Sequence, residues 1–336
     1  EVAQLGYTSD FGDLTQTAGY TGCLGNQTRG IRMGGTAPTN PGTNTIDYVT
    51  IAVKANAIDF GDLSGSCTNS NNINSPTRGV VQTNEAGTPN RTQLITIPTT
   101  GNAVTFGELQ KQRLDGAGMS NSVRGIFIGG SPLPVPFMEY VTISSTGNGT
   151  RFGDLSIDTF REGGHASPVR GVISGGSPSA VDTIQHVTIA STGNAIDAAN
   201  LTNGRRAHTS FSNQTRGIVA AGGNDPADLA TIDYVTISSL ADAQDFGDLS
   251  AAKGYVGSYA SSTRGLIAGG QTPTKINVIE YVTIATTSNT TDFGDLTVGR
   301  RFLQGVGNST RGIFGSGEGS SGGTNVIDFV TIATTG

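Results

Sequence analysis

Seven arginines, each followed by glycine, are the residues whose type and spacing most invite a chemical reading. They are Arg29, Arg78, Arg124, Arg170, Arg216, Arg264 and Arg311, separated by 49, 46, 46, 46, 48 and 47 residues. A guanidinium offers a planar fork of donors that matches carboxylate or phosphate oxygens. Brought together, seven would grip an anion. Set apart, each would bridge to an acid on a nearby strand, and Asp13, Asp62, Glu108, Asp154, Asp248 and Asp295 recur almost as faithfully as the arginines. The second pattern is favoured, so the seven arginines are expected to be structural, holding strands in register through Arg–carboxylate bridges.

Little else supports a reaction. His165, His186 and His208 are the only histidines, and without adjacent carboxylates or cysteines they make a poor metal set. Cys23 and Cys67 stand 6 and 11 residues before their Arg-Gly pairs, which predicts free thiols rather than a disulfide framework. Gly317, Gly319 and Gly322 form a G-x-G-x-x-G string, and Ser321 a formal G-x-S-x-G. Neither opens a helix, so neither phosphate cradle nor nucleophile elbow follows. Seven Asn-x-Thr sequons, some of them by-products of the repeat, do not predict glycosylation. The expectation is no catalytic residue, no metal and no cofactor: the chain is not an enzyme.

The elements that carry these residues are strands. Each repeat holds short runs of β-branched and aromatic residues bounded by Gly, Pro, Asn and Thr, with no helical period. In the third copy they read Val123-Arg-Gly-Ile-Phe-Ile-Gly-Gly130, Met138-Glu-Tyr-Val-Thr-Ile143 and Asn148-Gly-Thr-Arg-Phe-Gly-Asp-Leu155. We letter the strands A to D. B begins at Arg-Gly, C carries Tyr-Val-Thr-Ile, and D carries Asp-Phe-Gly-Asp-Leu. A precedes Arg-Gly and is rich in small residues, as in Gly254–Ala260 and Gln304–Asn308, which suits an innermost strand. The chain opens with a lone strand D (residues 8–14) and closes on a lone strand C (327–332). The prediction is therefore all-β: one domain over residues 1–336, a closed seven-bladed β-propeller of four-stranded antiparallel blades, its last blade completed by the N-terminal strand. Because the first residue is Glu1, the chain is expected to be processed or part of a longer product.

Composition narrows the partners. Charged residues are 14% of the chain and the net charge is −6, against a usual charged share of about 25%. With arginines dispersed rather than clustered, no nucleic-acid partner is expected. No apolar run of membrane-spanning length occurs, so no membrane insertion is expected.

The repeat resembles the kelch repeat. Gly34-Gly35, Gly129-Gly130, Gly175-Gly176, Gly222-Gly223 and Gly269-Gly270 end strand B, and Tyr48, Tyr140, Tyr234 and Tyr281 sit on strand C. Phe11, Phe60, Phe106, Phe152, Phe246 and Phe293 stand where kelch units carry Trp, a departure in every blade. The wording Tyr-Val-Thr-Ile-Ala-Thr-Thr followed by Asp-Phe-Gly-Asp-Leu is also similar to kelch-like repeats in virion structural proteins of tailed phages of cyanobacterial hosts. That resemblance implies a tail, fibre or capsid-associated protein located in the virion, contacting other virion proteins and a host-surface glycan or protein. The alternative is a binding module or domain of a secreted carbohydrate-active protein, which the lack of Trp disfavours.

Binding is expected on the variable B–C loops, residues 36–45, 131–137, 224–229 and 271–277, where stiff backbones meet polar tips. The candidate interaction residues are Asn40, Pro41, Pro132, Pro134, Pro136, Asp225, Pro226 and Lys275. Four further expectations concern local structure. The Asn or Asp before each strand D (Asn56, Asn102, Asn148, Asn194, Asp242, Asn289) should cap its own C–D turn. His165 and His208 should face the channel. Blade four, with Ala198 where the others carry Phe, should be refilled by Phe160 or Phe211. Blade two, with Thr83-Asn84 in place of Gly-Gly, should differ locally.

Overall fold

A computed structural model describes residues 8–36, 42–85, 87–131, 135–223 and 227–332. Among them there is no helix, and the strands form seven four-stranded antiparallel sheets, each in the order A-B-C-D. Blade one is Gly22–Gly25, Arg29–Met33, Thr43–Thr50 and Ile58–Cys67. The next five follow in the same order, strand B of each starting at its Arg-Gly arginine. Blade seven takes Gln304–Gly307, Arg311–Gly315 and Gly322–Thr331 from the end of the chain and Ser9–Ala18 from its beginning, with Ser9 opposite Phe329 and Asp10 opposite Asp328. The A strands of successive blades touch one another around the whole circle, including Gly22–Gly25 against Gln304–Gly307. The ring is closed, and the small residues of strand A line its axis.

Arg-Gly is explained by two contacts of opposite direction. Its glycine receives a strand A side chain from the preceding blade. A Cβ there would collide with Leu24 at Gly79, Ile73 at Gly125, Met119 at Gly171, His165 at Gly217, Phe211 at Gly265 and Val306 at Gly30. Its arginine reaches forward. In each case Nη1 donates to the carbonyl that ends strand C of the next blade, at 2.7–3.2 Å: Ile97, Ile143, Ile189, Ile237, Ile284, Ile332 and, across the closure, Ile51. In the five blades whose strand C carries Tyr or Phe there, the same guanidinium lies over that ring, for example Arg124 over Tyr140 at 4.2 Å and Arg216 over Tyr234 at 4.3 Å. That tyrosine in turn meets the strand D phenylalanine edge-on, as in Tyr140–Phe152 and Tyr281–Phe293.

The expected Arg–carboxylate bridges are therefore corrected. The seven arginines are half-buried and bond to main chain, and none forms an ion pair with a strand D acid among the described residues. Those acids lie toward the rim. What is held there is the main chain: Asn56, Asn102, Asn148, Asn194, Asp242 and Asn289 accept from the amides of Asp13, Asp62, Glu108, Asp154, Asn200 and Asp248 at 3.0–3.1 Å. Each sits in the C–D turn of one blade and bonds strand D of the blade before, so it joins blades rather than capping its own turn.

A third inter-blade staple is ionic and buried. The strand C residue before the aromatic position accepts from the main-chain amide that follows the strand D leucine of the preceding blade, as Glu139 does from Gln110, Gln185 from Ser156 and Glu280 from Ser250. Where it is acidic, a cation four residues past that leucine meets it: Arg113–Glu139 at 2.7 Å, Arg205–Asp233 at 2.8 Å, Arg300–Asp328 at 2.9 Å, and Lys253–Glu280. Where it is Gln93 or Gln185, the cation is replaced by Cys67 or Thr159. Blade one keeps Asp47 while Ala18 takes the cation position, and Arg32 from its own strand B supplies the charge.

Blade four departs as expected, through a different compensation. Phe211 packs toward blade six and Phe160 bridges the link to Ser177. Leu240 and Ala243, from the C–D turn of blade five, close the cluster around Ala198, Val172, Leu201 and Val235. In blade two, Asn84 Oδ1 accepts from the Thr68 amide at 3.0 Å, where other blades use a main-chain bridge between link and loop, such as Gly19 with Thr36.

Candidate binding site at the central mouth

The link from strand D of one blade to strand A of the next is pinned to the following B–C loop by such bridges, for example Leu114 with Ser131 and Arg301 with Glu318. Links and B–C loops thus share one face. Immediately after the pinned residue, nine positions before each Arg-Gly arginine, the backbone turns left-handed. The residues there are Tyr20, Asn69, Asp115, Arg161, Ala207, Tyr255 and Phe302, with φ between 48° and 58°. They ring the end of the channel, and main-chain bonds run from one to the next: Asn69 N to Tyr20 O, Arg161 N to Asp115 O, Tyr255 N to Ala207 O and Phe302 N to Tyr255 O, at 2.7–3.1 Å.

None of the seven is glycine, in a chain with 50 glycines. A side chain in this conformation costs roughly 1–2 kcal/mol, and only Gly, Asn and Asp visit it readily. The repeat dictates the turn. It does not dictate Tyr, Phe or Arg on it.

Those side chains divide the mouth into two arcs. Tyr255, Phe302 and Tyr20 are consecutive and form an aromatic shelf, with centroids 4.6 and 4.7 Å apart. Arg301 lies over the Phe302 ring at 4.9 Å and bonds Glu318 and Gln271. Glu318 also accepts from Tyr20 Oη at 3.2 Å and from Lys275 at 2.8 Å, and Lys275 with Arg301 holds its carboxyl below the usual range. Across the ring stand Asn69 and the Asp115–Arg161 pair, at 3.3 Å. One residue deeper come Thr21, Ser70, Gly116, Glu162, His208, Val256 and Leu303. The two tiers enclose a cavity of about 260 Å³.

No family model matches this chain, and no curated protein is significantly similar to it.

Glu162 stands out in the lower tier. It is 9% exposed, Oε1 accepts from the Ala117 amide at 3.1 Å, and Oε2 has no partner among the described residues. Burial pushes its carboxyl up to about 7 despite the nearby Arg113. Beside it His208 is held down to about 3 by burial and by Arg205. His165 does not face the channel: it is buried under Gly217, and burial lowers it to about 4. His186 occupies the strand C aromatic position, where burial and then the nearby Arg170 lower its pKa.

Of the loop residues singled out from sequence, Asn40, Pro41, Pro132, Pro134, Asp225 and Pro226 lie outside the described residues. Pro136 lies not in a loop but within strand C, Val135–Thr142. Lys275 is not a free tip, since Glu318 and the Gly319 carbonyl hold it. The mouth residues were missed. The signal available for them was three large aromatics, Tyr20, Tyr255 and Phe302, at one shared offset of nine residues before their Arg-Gly arginines.

Proposed function

We propose that this propeller is a non-catalytic binding protein whose loop face, centred on the mouth, meets its ligand. In the fuller form of this reading it is a kelch-like structural protein of a phage virion, displaying that face for attachment to a host surface. The observation that carries the binding role is the ring of seven left-handed positions filled by side chains instead of glycine, with three aromatics in one arc. Backbone strain maintained against an available relief is a mark of functional positions. The virion setting rests on the wording of the repeat alone.

The test is labelling of cyanobacterial cells by fluorescent protein, parent against Phe302→Asn. Asparagine accepts the left-handed turn, so the variant removes the ring and keeps the link. Labelling lost in the variant supports attachment through the mouth. Equal labelling by both places attachment elsewhere, and no labelling by either defeats the attachment role. The aromatic shelf also favours a second reading, a glycan-binding module of a secreted carbohydrate-active protein. It supplies the platform that the absence of Trp had counted against.

A further inference from the structure

We infer that the cleft beside the mouth, between the B–C hairpins of blades six and seven, captures a peptide C-terminus whose last side chain is aliphatic. This deepens the binding role proposed above and rests on it.

The cleft begins where the aromatic shelf ends. Its floor is the link Val298–Arg301, one wall is the hairpin Gln271–Lys275, and the other is the hairpin tip at Ser320. It is open and holds about 580 Å³, within the roughly 300–1,000 Å³ of small-ligand sites. Lys275 and Arg301 both line it, whereas Glu318, the acid they share, does not. Two cations therefore answer to one carboxylate, and that carboxylate is full. Its Oε1 accepts from Lys275 and Arg301, and its Oε2 from Tyr20 and from Arg301 Nε and Nη2.

Each cation keeps a donor. A lysine carries three N–H groups and an arginine five. Lys275 uses two, on Glu318 and the Gly319 carbonyl, and Arg301 uses at most four, on Glu318 and Gln271. The N–H left on each side chain can meet a negative group without displacing Glu318, and such charge-assisted bonds are the strong ones. Gln271, Thr274 and Ser320 add uncharged donors around them.

The adjoining surface selects an organic carboxylate over a bare anion. Val298 is 36% exposed and Pro273 is exposed beside it. Among the described residues Val298 is the only exposed large hydrophobic on the mouth face. The others lie in A–B or C–D turns or begin strand D on the underside, as Val53, Val123 and Ile58 do. An aliphatic surface suits an alkyl side chain, whereas a uronate would bring hydroxyls to it. In a C-terminal residue the carboxylate and the side chain leave the same carbon, so one cleft can meet both.

Calorimetry on the full chain tests this with acetyl-Ala-Ala-Val as the free acid, the same peptide as its C-terminal amide, glucuronate and inorganic phosphate. The free acid should bind with a Kd of about 1 mM or below, and the amide at least about tenfold more weakly. Lys275→Gln should weaken the acid at least about tenfold and Val298→Ser about threefold. Val53→Ser, an exposed change on the opposite face, should leave it unaltered. Equal binding of acid and amide overturns the inference, as does no binding of the acid. Glucuronate or phosphate binding as tightly as the peptide acid also overturns it, and so does acid binding that survives Lys275→Gln and Val298→Ser. If cells are labelled through the mouth and no peptide acid binds, the binding role stands and the C-terminal class falls.

Discussion

Breaking one buried staple between blades should be far more damaging than removing both of its partners. Arg113 and Glu139 are fully buried, and Arg113 also donates to the carbonyls of Gly129 and Phe137 at 2.8 and 2.5 Å. Arg113→Thr would leave Glu139 as an uncompensated buried charge, at a cost of about 3–5 kcal/mol. Adding Glu139→Gln removes that charge and recreates the pair used one interface on. There Thr159 and Gln185 stand in the same places, Thr159 bonding the Gly175 carbonyl and Gln185 the Ser156 amide. The double variant should therefore recover at least about 2 kcal/mol over the single one, the remaining loss reflecting the space left by the shorter side chain. Urea unfolding followed by circular dichroism measures all four members of the cycle. If the two changes add, or if Arg113→Thr costs under about 1 kcal/mol, the charge pair is not what holds this interface.

Three other outcomes are expected. Deleting residues 1–18 removes buried Phe11, Leu14 and Ala18 from blade seven; it should cost at least about 5 kcal/mol and promote self-association through the bared strand C, visible by size-exclusion chromatography, and a peptide of residues 8–18 should reverse both. Arg124→Ala loses a charged bond to Ile189 O and the stack on Tyr140, for about 2–3 kcal/mol in chemical unfolding, and Lys should restore only part of it. Glu162 keeps its proton in the folded protein up to about 7 but loses it near 4.5 when unfolded. Its contribution is therefore full below about 4.5 and falls away as pH rises to about 7, by about 3 kcal/mol in all. Measured against the parent, Glu162→Gln should gain stability across that window and stay level above it. The opposite trend from His165 and His208, whose pKa values are lowered, is common to both proteins and cancels.

Strand types, blade count and ring closure were legible because alternation and a fixed period are written directly in residue order. The partners of the arginines were not, because a carbonyl acceptor leaves no trace in the sequence. The recurring strand D acid was misleading: what the structure uses there is its main-chain amide, bonded to the Asn of the next blade. The buried charge staples were legible in principle. Seven copies of one unit align with each other, and the exchange of Arg or Lys with Asp or Glu for Cys67 with Gln93 and Thr159 with Gln185 is a covariation inside a single chain. The mouth was hidden because backbone φ is not read from residue type. Only Asn69 and Asp115 hint at a left-handed turn.

Ser9 and Thr331 flank the place where the C–D turn of blade seven would lie, on the face opposite the mouth. A polypeptide joined to the chain at Thr8 or at Ile332, the outermost described residues, would leave from one spot on that underside. Two such joins would emerge side by side, like the legs of a stand, and neither would need to pass the rim of the mouth. The same seam that closes the ring thus makes Thr8 and Ile332 safe points for tethering the described ring to a surface with its mouth outward.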